Sequence, residues 1–177
     1  MASSSRKLLK ELPSEEKMSE IMVDLTAHGP QATVIMGAAY LEHALELLLR
    51  AKFIVLTKAD DRRIFDGASG GILGSFSAKI RIAYAMQLLH ENPYKALLII
   101  NDIRNVFAHS LHKVDFDHEL VRKDCISLKK ISPALTFSAG VTRSLLDDPQ
   151  EIYSKIVQML YFSFRRHLEN NADDSAN

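Results

Sequence analysis

Apolar positions recur at helical spacing along most of the chain. Ile21, Met22 and Leu25 follow Ser14-Glu15-Glu16-Lys17, where a Ser suits a helix N-cap and the acids suit the positive end of the helix dipole. His28-Gly29-Pro30 ends or bends that helix, since Pro lacks an N–H and clashes with the preceding turn. From Gln31 to about Leu56 the pattern predicts one long helix, apolar over much of its circumference through Ile35, Ala38, Leu41, Leu45, Leu48 and Leu49. A helix with so wide an apolar arc belongs at the centre of a bundle. Its polar members Tyr40, Glu42, His43 and Glu46 therefore need partners.

Ser75-Phe76-Ser77 opens a further helix carrying Ile80, Ile82, Ala83 and Met86, and Asn92-Pro93 starts another that runs to Ser110 or Leu111. Asp147-Asp148-Pro149 caps a last helix over about 149–169, with Ile152, Ile156, Leu160 and Phe164 at helical spacing. Residues 112–148 break the pattern. Charges, Pro133, Gly140 and short apolar patches such as Cys125-Ile-Ser-Leu128 and Ala134-Leu-Thr-Phe137 predict an irregular excursion or a small hairpin there. The expected fold is all-α: a bundle of four to five main helices in a single domain over 13–169. A flexible stretch over 1–12 and a polar tail over 170–177 are expected to flank it.

A length of 177 residues with 47% hydrophobic and 25% charged residues fits one globular domain and argues against global disorder. Lys and Arg number 22 against 22 Asp and Glu, so the chain lacks the broad cationic field of a protein that coats nucleic acid. The single cysteine, Cys125, cannot form an intramolecular disulfide, and no Cys/His spacing suits zinc; no metal or cofactor is expected. The opening residues lack the apolar core of a secretory signal. The run Val34–Leu49 is interrupted by Glu42, His43 and Glu46, so it is not expected to span a membrane. A cytoplasmic, soluble protein is the expectation.

Three groups of residues bear on chemistry. Gly67, Gly70, Gly71 and Gly74 crowd into eight residues, yet no Lys follows the last as a phosphate loop requires, and the spacing is not that of a dinucleotide fingerprint. The loop is either a turn seating the next helix or an anion site at the N–H groups near Ser75–Ser77. The second group is Arg104, Asn105 and His109 near a helix end. His109 has the titration range of a general acid or base, Arg104 can hold a phosphate oxygen and Asn105 can orient either, as metal-independent RNA cleavage needs. Arg104 and His109 lie about 140° apart on a regular helix, so they converge only if the last turn loosens or both swing into one groove. The structural alternative pairs Arg104 with Glu42 or Asp102 and sets His109 over helix-end carbonyls. The third group, Glu42, His43 and Glu46, is either a metal site or a set of ion pairs with Arg104, Arg81 or Arg50.

The succession Ile64-Phe65-Asp66-Gly67, Gly71-Ile72-Leu73-Gly74-Ser75-Phe76-Ser77-Ala78-Lys79-Ile80 and Ile82-Ala83-Tyr84-Ala85 resembles the central segment of the mannitol operon repressor (MltR-like) family, with its pattern G-x-L-G-x-[FL]-S-x-[KR]-[IL]-x-[IL]-x-Y. The resemblance covers roughly residues 30–111. Arg104-Asn105-x-x-Ala108-His109 is similar to the R-x4-H signature of the HEPN superfamily of helical proteins. The first resemblance implies a transcriptional regulator of carbohydrate genes. It has no evident DNA-binding motif, so it would act through a regulatory protein partner. The second implies, as the alternative, an endoribonuclease whose groove commonly forms between two protomers, with Arg104 and His109 as the catalytic pair, Asn105 orienting and Glu42 helping. RNA is then the partner. A homodimer is expected on either reading, from the wide apolar arc of the 31–56 helix and from Tyr161, Phe162 and Phe164 near the C-terminus.

Overall fold

The computed structural model describes residues 12–131 and 147–174, with side chains to residue 170. Among the described residues there are seven helices, one 3-10 turn and no strand: α1 Glu15–Ala27, α2 Pro30–Arg50, α3 Lys58–Phe65, α4 Phe76–Ala85, α5 Glu91–His109, α6 Glu119–Ile131 and α7 Pro149–Asp174. The chain is an all-α bundle, as its periodicity predicts.

Local chemistry sets the helix ends. The Ser14 hydroxyl accepts from the Lys17 N–H at 3.2 Å and starts α1. Gly29, at φ 103°, turns the chain into α2, where Pro30 occupies the first position. α2 is the central helix, packed by α1, α4, α5 and α7. Val34, Leu41, Leu45 and Leu49 on it are fully buried. α2 ends at Arg50, short of the expected Leu56: Lys52 and Phe53 close a tight turn, and the β-branched Ile54-Val55 pair leads out to Thr57, which caps α3. α2 is long and apolar enough to cross a membrane by composition, but half of its most apolar window is buried inside the bundle.

α7 runs the length of the bundle. Asp148 Oδ1 accepts from the N–H groups of Gln150 and Glu151 at its start. The Gln150 amide donates to Thr26 O and Thr33 Oγ1, tying that start to the α1–α2 turn. Gly37 lets α7 approach α2, since a Cβ there would lie 3.4 Å from Val157. Two expectations change at the C-terminal end. The helix continues to Asp174 rather than stopping near 169, supported in its last turns by Arg165–Glu169 at 2.7 Å. Tyr161 and Phe164 are core residues, so they offer no exposed aromatic face for a dimer. Tyr161 and Arg165 also donate to the carbonyls of Leu12 and Pro13. The expected flexible stretch before Leu12 and the last three residues of the tail lie outside the described residues.

The largest correction concerns 112–148. A regular amphipathic helix, α6, stands where an irregular excursion or hairpin was expected. Its buried residues Val121, Cys125 and Leu128 are spaced i, i+4, i+7 and pack toward α5 and α7. Phe116, on the approach to α6, is buried with its ring against Phe107 and Tyr153. Ala134-Leu-Thr-Phe137, Pro133 and Gly140 lie outside the described residues.

Candidate functional site

The glycine-rich loop is a brace. Asp66 accepts from the Ala68 N–H and the Ser69 hydroxyl, Gly70 takes the left-handed φ of 72°, and the loop folds back along the end of α3. The N–H groups of Gly71, Ile72, Leu73 and Gly74 all donate to backbone carbonyls, Leu73 to Ile64 at 2.6 Å, which fixes the loop as the seat of the next helix. Ser75 then caps α4 by accepting from the Ala78 N–H at 3.2 Å.

Seated in this way, α4 delivers Lys79 into the bundle. Phe76, Ile80 and Ala83 bury one face of the helix, and Lys79, only 4% exposed, goes in with them. Its ammonium donates to Glu42 Oε1 at 2.7 Å and lies 3.0 Å from Glu46 Oε2. Glu46 accepts in turn from Arg50 Nε at 2.8 Å, while Arg50 Nη1 pairs with Asp61 and the guanidinium lies 3.9 Å above the Phe65 ring. Arg104 Nη2 stands 3.8 Å from Glu42 Oε2. One continuous ionic chain, Arg104–Glu42–Lys79–Glu46–Arg50–Asp61, thus joins α5, α2, α4 and α3. Burial works against the Arg50 charge, but its hydrogen bonds to Asp61 and Glu46 outweigh it and raise the pKa above its ordinary value.

Of the expected partners of Glu42 and Glu46, Arg104 and Arg50 are there; Arg81 is exposed and makes no ion pair among the described residues. Lys79 went unnoticed in the sequence. Its signal was a cation three residues after Phe76 on the apolar face of α4.

Arg104, Asn105 and His109 all lie on α5, which stays α-helical through His109 with no loosened last turn. Arg104 is half-buried toward Glu42, whereas His109 is exposed about 140° away around the helix axis. Asn105 is half-buried one turn from His109, and neither side chain makes a hydrogen bond among the described residues. His109 therefore does not cap the helix end through its side chain. The structure brings Arg104 to Glu42 and does not bring Arg104 to His109 within one protomer. Because Lys79 already holds Glu42 at the shorter distance, Arg104→Ala is expected to cost only about 0.5–1 kcal/mol. Urea denaturation measures this.

No group of three or more His, Cys, Asp or Glu side chains is placed to hold a metal among the described residues, and Glu42 and Glu46 form ion pairs with Lys79 rather than a ligand set with His43. Cys125 is buried, and desolvation pushes its thiol up to about 12, so it is protonated and unreactive at neutral pH. His43 Nε2 is the buried side-chain polar atom without a hydrogen-bond partner among the described residues. Burial, with Lys79 and Arg50 nearby, lowers its pKa below 6.5 against the opposing pull of Glu46. The unfolded chain therefore takes up this proton first as pH falls through about 6.5, and stability drops in that window. His43→Leu is expected to remove part of that acid loss while keeping or raising stability at pH 7.5, as read by denaturation at a series of pH values.

The fold defines the chain as a helical bundle with a partly buried ionic chain linking four of its helices. No protein-family model, curated protein or solved structure matches it.

Proposed function

We propose that this chain is an MltR-like transcriptional regulator, a repressor of carbohydrate (mannitol) utilisation genes. It acts in the cytoplasm and works through contacts with a protein partner rather than by reading DNA itself. The observation that carries this reading is the engagement of Arg104 with Glu42 inside the ionic chain. Arg104 stands 3.8 Å from Glu42, and its would-be partner His109 lies about 140° away around the same helix. The neutral overall charge and the sequence pattern of 64–84 support the same reading. Deleting the gene is expected to raise transcripts of neighbouring carbohydrate genes. The purified protein alone should fail to shift promoter DNA in a mobility assay. Unchanged transcripts, or a specific shift by the protein alone, would contradict the proposal.

The second reading is a HEPN-type metal-independent endoribonuclease. In its favour, the R-x4-H signature is intact and His109 is exposed with Asn105 one turn away. On this reading a second protomer completes the groove, because one protomer does not bring Arg104 and His109 together.

A further inference from the structure

We infer that the crossing between α2 and α3 is the docking site for a short acidic, apolar peptide segment of a partner protein. This rests on the regulatory reading above and names the surface through which it would act. Ile54 is 84% and Val55 100% exposed, side by side in a connection between two helices, where polar residues cost nothing and β-branched aliphatics gain nothing from the fold. The backbone N–H groups of residues 54–56 make no hydrogen bond among the described residues, so they are open to a partner chain. Beside them a cleft of about 480 Å3 has Leu47, Phe53, Ile54 and Leu56 among its walls.

Charge selects the kind of segment. Between residues 50 and 63 five cations stand against two acids, in a chain that is neutral as a whole. The acids at the cleft are already engaged: Glu46 with Lys79 and Arg50, and Asp61 with Arg50. Lys52 and Lys58 make no ion pair among the described residues. A ligand that fills the cleft with aliphatic side chains and presents carboxylates to Lys52 and Lys58 satisfies each feature. The cleft is concave, which suits a peptide better than a flat bilayer.

The test is selection of a displayed random 16-residue peptide library on the full chain. Counter-selection uses a variant carrying Ile54→Ser and Val55→Ser, and a second carrying Lys58→Glu, both checked for unchanged circular dichroism. The expected result is a consensus of aliphatic and acidic residues whose labelled peptide, in fluorescence anisotropy, binds about tenfold or more weakly to either variant. Several results would overturn the inference: no enrichment over the variants, a basic or uncharged consensus, or binding that ignores the substitutions. So would co-sedimentation with phosphatidylserine vesicles lost in the same variants, or a dimer in sedimentation velocity that they dissociate. The two proposals fail separately. Unchanged transcripts on gene deletion sink the regulatory reading whatever the peptide does. A peptide-blind variant that still represses normally sinks this surface alone.

Discussion

Lys79→Ala is expected to lose about 3 kcal/mol of folding stability, the lower end of the cost of removing one partner from a buried ion pair. The lower end applies because Glu42 and Glu46 keep 27% and 22% side-chain exposure, so water screens part of their charge. Without the ammonium, two carboxylates one helical turn apart face each other with a cavity between them. Like charges that close repel, so the deficit should be smaller in acid, where carboxylates lose their charge, than at neutral pH. Adding Glu42→Gln should recover part of the loss, a non-additivity expected of groups in one network. Denaturation at several pH values reads all three effects. An additive, pH-independent loss would mean that Lys79 matters only for its volume.

Gly74→Ala is the second large effect, about 2–3 kcal/mol. A Cβ on Gly74 would sit 2.5 Å from Gly67 Cα and 2.8 Å from Gly67 N, both backbone atoms that no side-chain rotation can clear. Relief requires opening the brace that seats α4, which also displaces Lys79. Gly70→Ala is the contrast: nothing crowds that site, and only the left-handed φ of 72° opposes a side chain, a cost of about 1 kcal/mol. Thermal denaturation should rank the two in that order.

Much of this was legible in the residues. The wide apolar arc of α2 announced a central helix, and the need of its carboxylates for cations followed from burial alone. Arg50 and Arg104 could be named because the candidates were few. Lys79 could not, because which cation reaches Glu42 depends on how α4 crosses α2, and that is set by the glycine brace rather than by any local pattern. α6 was missed although Val121, Cys125 and Leu128 carry a helical period. The run Cys125-Ile-Ser-Leu128 also reads as a short apolar patch, and nearby Pro133 and Gly140 suggested a break. The divergence of Arg104 and His109 was predictable from five residues of helix. Whether the last turn relaxed to bring them together was a tertiary question, and α5 stays regular.

The most direct test of the regulatory account is cleavage of labelled mixed RNA by purified protein in EDTA, beside His109→Ala checked for folding by circular dichroism. No cleavage above buffer is expected from either protein, since Arg104 and His109 diverge on α5. Cleavage by the native chain that disappears in a folded His109→Ala variant would contradict it and make the protein a metal-independent ribonuclease.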